Sequence, residues 1–255
     1  MRGAAFPGHL YSMTISFLAA ALAALMLLLA GPGVRLGLWS FRTGFDLLRW
    51  GAYLGLAAVA LALIQLLVPR WRGHRPWMHG VAVVLGLLAA GVPWYWRRLA
   101  SQVPPIHDIS TDTADPPVFV AVLPLRADAP NPATYGGPEL AAEQARGYPD
   151  IHSLVLPATS PGTAFAHALD AARKAGWAIV AADSAAGRVE ATATTGWFGF
   201  KDDVVVRIRP EGQGSRIDVR SVSRVGGSDV GTNARRIRAY LDRLRPAGET
   251  ADAHR

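Results

Sequence analysis

The sequence predicts an α+β protein with three N-terminal transmembrane helices, then an antiparallel sheet of about five strands with helices on one side. Three observations lead there. Long uncharged apolar runs are confined to the N-terminal part, a proline-rich stretch follows them, and apolar and polar residues alternate with a period of two beyond residue 188.

Composition supports the membrane part. The 255 residues are 51% apolar and 18% charged, against about 25% charge in soluble chains. Residues 1–98 hold nine basic groups and one acid, Asp46, whereas residues 99–255 hold 17 basic and 18 acidic groups. The positive surplus therefore belongs to the flanks of the apolar runs, so no nucleic acid is expected as a partner. The absence of cysteine excludes disulfides, thiol catalysis and cysteine-based zinc or iron–sulfur sites.

The first run, Ser12–Ala30, has 19 uncharged residues, a length that spans about 28 Å as a helix. Trp50–Val68 is as long and ends at Pro69 and Arg70; Gly80–Trp96 has 17 residues and contains Pro93. Trp39, Trp50, Trp71, Trp77, Trp94 and Trp96 fall near the ends of these runs, where indole rings favour the headgroup level. The first run is read as an uncleaved span, because it is long for a signal peptide, lacks an Ala-x-Ala site and is followed by two more runs. Arg70, Arg72 and Arg75 make the 69–79 loop the densest basic loop, which places that loop in the cytoplasm and the C-terminal domain outside.

Residues 99–150 read as an arm, with nine prolines from Pro104 to Pro149 arguing against helix. Within it Val118–Leu123 reads as a strand, and the arm as a whole is expected to wrap the domain that follows. That domain, residues 151–245, begins with a strand at Ile151–Leu156 and a helix at Thr163–Ala175. Strands follow at Trp177–Ala182, Arg188–Thr195, Val204–Arg209 and Arg216–Ser223, and a closing helix runs over Val230–Leu244. Strict alternation predicts one apolar face on the core and one solvated face. Residues 246–255 read as a disordered tail.

Three linked blocks carry a resemblance: Thr195-Gly-Trp-Phe-Gly-Phe-Lys-Asp-Asp-Val-Val-Val-Arg-Ile-Arg209, Gly214-Ser-Arg-Ile-Asp-Val-Arg-Ser-Val-Ser-Arg-Val-Gly226 and Ser228-Asp-Val-Gly-Thr-Asn-Ala-Arg-Arg-Ile-Arg238. Together they resemble the bacterial domain of unknown function 1499 family over roughly residues 105–245. The segment Pro104–Asp112 is similar to the subset of that family with N-terminal membrane spans. The resemblance implies an α+β domain in a bacterial inner-membrane setting and no assigned activity. Family members often carry an Asn-Cys pair in the arm, which this chain lacks.

Candidate chemistry falls in three places. His107, Asp108, Asp112 and Asp115 gather an imidazole and three carboxylates, a set that suits either a divalent cation or, as is commoner beside prolines, local turn hydrogen bonds. Arg207, Arg209, Arg216, Asp218 and Arg220 share the outward phase of neighbouring strands, as an anion site or a cross-strand charge ladder. Ser228, Asp229 and Asn233 begin the closing helix, where capping competes with capture of an external anion assisted by Arg224 and Arg235. Trp197, Phe198 and Phe200 are expected to cover the core, the alternative being an apolar tip presented to a membrane or partner. No phosphate loop, nucleophile elbow or zinc-protease motif occurs, so no catalytic residue, cofactor or metal is assigned. The expectation is a non-enzymatic envelope binding or scaffolding module. Its partners would be the bilayer and an envelope protein or anionic lipid; the alternatives are an enzyme on envelope lipid or glycan, or a carrier of a small hydrophobic ligand.

Overall fold

The computed structural model describes residues 8–71 and 75–245; the expected tail at 246–255 lies outside the described residues. The chain divides into two compact units, residues 1–99 with 196–199, and residues 100–195 with 200–255.

The first unit is built of α1 (Gly8–Arg35), α2 (Phe41–Leu67) and α3 (Trp77–Ala100). All three are long and apolar enough to cross a membrane. Each extends beyond its apolar run, because hydrogen bonding carries the helix into polar flanks; Ser40 caps α2 by accepting from Thr43 N. Pro93 is accommodated inside α3. Small residues face inward and leucines outward: Ala20, Ala58, Ala62 and Ala82 form a buried cluster, while Leu18, Leu22, Leu25 and Leu28 stay exposed. A Cβ on Gly55 would sit 2.7 Å from the Gly86 carbonyl oxygen, so glycine lets α2 and α3 touch backbone to backbone. Gln65 is buried and accepts from Ser16 Oγ at 2.8 Å. Contrary to expectation, Trp197 and Phe198 group with this unit. Trp197 lies against Gly31, and the Phe198 ring is 5.2 Å from that of Phe45.

The second unit is an α+β domain. Its elements are β1 (Asp108–Ser110), α4 (Gly137–Gly147), β2 (Leu154–Leu156), α5 (Pro161–Lys174), β3 (Ala178–Asp183), β4 (Arg188–Thr194), β5 (Lys201–Glu211), β6 (Gly214–Ser223) and α6 (Thr232–Asp242). The sheet is antiparallel and has six strands, in the order β1-β6-β5-β4-β3, with β2 also pairing on β6. Inward residues Val189, Ala191, Val204, Val206, Ile208, Ile217 and Val219 meet Ala168, Ala172, Ile237, Tyr240 and Leu241 from α5 and α6. Trp177 stacks on Tyr240 with ring centroids 4.8 Å apart.

The arm departs from expectation in three ways. Its strand is Asp108–Ser110, pairing with β6, and not Val118–Leu123. The amides of Val120 and Val122 instead donate to the Glu190 carboxylate at 3.0 Å, and a short 3-10 turn follows at Leu123–Arg126. Helix does occur: Pro138 stands in the first turn of α4, where its missing N–H would be unpaired in any case. The second sheet face is not solvated either, because the arm covers it; Glu190, Asp203, Asp218 and Arg220 are at most 1% exposed.

Candidate functional site

The outward phase of β4, β5 and β6 places Glu190, Thr192, Asp203, Arg207, Arg209, Asp218, Arg220 and Arg224 on one face. Register sets Arg207 beside Asp218, and Arg216 beside Arg209. Charges buried this way are costly unless paired, and the arm supplies the partners.

Arg220 is the most enclosed of the arginines on this face. Its Nε and Nη2 donate to the two Asp108 oxygens at 2.9 and 2.8 Å, Nη2 also to Ala133 O at 2.8 Å, and Nη1 to Pro117 O at 3.2 Å. The guanidinium lies 5.2 Å from the Phe119 ring centroid and 5.3 Å from that of Tyr135. Burial, reinforced by Asp108, pushes the Tyr135 phenol up to about 12. Next to this pair, Arg224 donates to both Asp203 oxygens at 2.9 and 2.8 Å and to Leu125 O at 2.6 Å. Buried Arg126 also pairs with Asp203, at 3.3 Å.

At the far end Arg207 and Arg209 share Asp112, Asp115 and Asp218, while Arg216 and Ser153 bond to Asp218. Burial alone would raise the Asp218 carboxyl; the Ser153 hydroxyl and the Arg207 and Arg209 guanidiniums outweigh it and hold the group below the usual carboxylate range.

The His107–Asp115 segment is therefore dispersed. His107 acts through its carbonyl, which accepts from Ser223 N and from Asn233 Nδ2, both at 2.9 Å. Asp108 turns to Arg220, and Asp112 to Arg207 and Arg209. Among the described residues no group of three or more His, Cys, Asp or Glu could hold a metal ion.

The start of α6 is a closed cap. Asp229 accepts from Gly231 N at 2.8 Å and Asn233 N at 2.6 Å, and burial raises its carboxyl despite those donors. Fully buried Asn233 accepts from Ser221 Oγ and Arg236, and donates to Ser223 Oγ. Arg235 bonds to Val230 O and Thr232 Oγ1. The Asp229 carboxylate thus takes the amides that an external anion would need.

Sequence reasoning missed Arg126, Gln144, Glu190, Asp203 and Arg236. Gln144 pairs with β1 as a strand would: Ser110 N donates to its Oε1 at 2.9 Å, and its Nε2 donates to Ser110 O at 2.7 Å. Glu190 and Asp203 carried one usable signal, being carboxylates in the outward phase of strands long enough to need a cover.

A concavity opens among the described residues of the second unit. Between the C-terminal ends of α5 and α6 lies a groove of about 710 Å3, lined by buried Leu156, Ala171 and Leu244 and by the polar residues Thr159, His167, Asp170, Lys174, Arg243 and Arg245.

A family model described as "Protein of unknown function (DUF1499)" matches residues 108–244, from the first residue of β1 to just beyond α6. No curated protein matches the chain.

Proposed function

The chain belongs to the DUF1499 family of proteins of unknown function, and from that premise we propose that it is a non-enzymatic binding module anchored in a membrane by its three apolar helices. One observation carries the reading. The polar groups that would serve chemistry are bonded to one another, whereas the groove between α5 and α6 is an accessible concavity.

An acid or base must reach a substrate proton within hydrogen-bond distance. Asp108 is 3% exposed and Asp218 and Glu190 are fully buried, each with its oxygens already facing donors. The resemblance supports a multi-pass bacterial inner-membrane protein, and the basic 69–79 loop supports a C-terminal domain on the outer side.

The test is turnover. Purified full-length protein is offered ester, phosphodiester and glycoside substrates alongside His107→Ala and Asp112→Ala variants. Turnover dependent on either residue would contradict the proposal; the expected result is none.

A further inference from the structure

We infer that the groove between the C-terminal ends of α5 and α6 binds an amphiphilic anion, an alkyl chain bearing a phosphate or carboxylate head. The inference rests on the binding-module reading and gives that module its ligand class.

The argument begins with the basic bias of residues 201–245, which hold eleven cations against six acids. Most of that bias is internally answered. Arg207, Arg209 and Arg216 share Asp112, Asp115, Asp218 and Glu211. Arg220, Arg224, Arg236, Arg238 and Arg245 each face a carboxylate, respectively Asp108, Asp203, Asp202, Asp150 and Asp242. Arg235 is bonded to Val230 O and Thr232 Oγ1. Lys201 stands at the exposed start of β5.

Lys201 and Arg243 remain, and of these two Arg243 is the one at the groove. Among the described residues it has neither a carboxylate nor a hydrogen-bond acceptor, and it lies on the rim of the groove. Across the rim, Lys174 pairs with Asp170 at 2.7 Å, but the two side chains are 71% and 58% exposed. Such a pair is weak and readily exchanged. His167 adds a further polar edge.

Basic residues at helix C-termini commonly answer the terminal carbonyls. Here backbone donors already meet them: Ala175 N, Gly176 N and Trp177 N reach the carbonyls of Ala171, Arg173 and Ala172 at the end of α5, and Arg243 N and Leu244 N reach those of Tyr240 and Leu241 at the end of α6. The rim cations are thus available to an external anion.

Below the rim the chemistry changes. Leu156, Ala171 and Leu244 are at most 9% exposed and form an apolar floor. A volume of about 710 Å3 is in the range of small-molecule sites, which run from about 300 to 1,000 Å3. An apolar floor under a rim that carries Lys174, Arg243 and Arg245 against the single acid Asp170 complements a molecule with a tail and one anionic head.

The test uses full-length protein held in a non-ionic maltoside detergent and a photoreactive octyl phosphate, with labelled peptides mapped by mass spectrometry. Labelling is expected on peptides covering residues 154–174 and 240–245. Arg243→Glu is expected to reduce it at least tenfold, while Lys201→Glu leaves it unchanged. Octyl phosphate competes, whereas octanol and inorganic phosphate do not. Labelling elsewhere, equal loss in Lys201→Glu, competition by octanol, or full competition by inorganic phosphate overturns the inference. Release of phosphate from the probe, measured in the same samples, would instead overturn the non-enzymatic reading and leave the groove as the binding site.

Discussion

Replacing Arg220 with methionine should destabilise the second unit more than any other single change on its polar face. The variant leaves Asp108, 3% exposed, without its two guanidinium donors, and frees the carbonyls of Pro117 and Ala133. Removing one partner of a buried ion pair costs about 3–5 kcal/mol, because the other charge stays buried and uncompensated. Loss of the contacts with Phe119 and Tyr135 adds about 1 kcal/mol. The double variant Asp108→Leu/Arg220→Met removes both charges and should recover most of that loss. It should still fall below the parent, since two carbonyls remain unmet at about 1 kcal/mol each. Hydrogen exchange of full-length protein in micelles reads this in the β5 and β6 peptides. Together these come to about 4–6 kcal/mol, and at about 1.4 kcal/mol per tenfold the single variant should lose about three to four powers of ten in protection. A loss under tenfold, or a double variant at the sum of the two singles, would refute the reasoning.

Three further outcomes are expected. Glu190→Leu removes the acceptor that the Val120 and Val122 amides share, at about 1–3 kcal/mol for each amide left unpaired; exchange and proteolysis should accelerate in residues 117–126, and unchanged protection there would contradict the role given to that carboxylate. Asp218 and Asp150 are held below the usual range, the first by Ser153 and two guanidiniums against burial, the second chiefly by Arg238. A depressed folded value means that their stabilisation is complete above the unfolded value of about 3.9 and is lost as pH falls through the folded value. Asp229, raised by burial, acts oppositely, its penalty growing as pH rises from that same value. Asp218→Asn should accordingly flatten the loss of stability below about pH 4, and an unaltered acid limb would contradict this. In the helical unit, a Cβ on Gly86 would lie 2.5 Å from the Gly55 carbonyl oxygen, so Gly86→Val should force α2 and α3 apart and lower the melting temperature in micelles; an unchanged or higher temperature would count against that contact.

The membrane helices were legible because uncharged runs admit few other readings, yet their ends were not. The apolar runs stop at Trp50 and Trp96, while helical hydrogen bonds continue through Phe41–Arg49 and Arg97–Ala100. Alternation in Val204, Val206 and Ile208 correctly gave the inward phase of β5. It could not say what lies over the outward phase. That cover comes from the arm, whose Phe119 and Val122 pack on Val205 and Val222. Pro138 was read as a helix breaker when its position in a first turn made it a helix starter. Asp108 and Arg220 were both singled out, but their partnership spans 112 positions and exists because β1 pairs with β6. Gln144 bore no readable signal, since a side-chain amide acting as a strand partner follows no local period.

The central claim is that the groove, and not the charged sheet face, is where the second unit meets its ligand. It is tested most directly by placing a photo-crosslinking amino acid in the full-length chain in cells, at position 174 on the groove rim or at position 209 on the sheet face. Adducts from position 174 and none from position 209 are predicted. Adducts confined to position 209 would contradict the account.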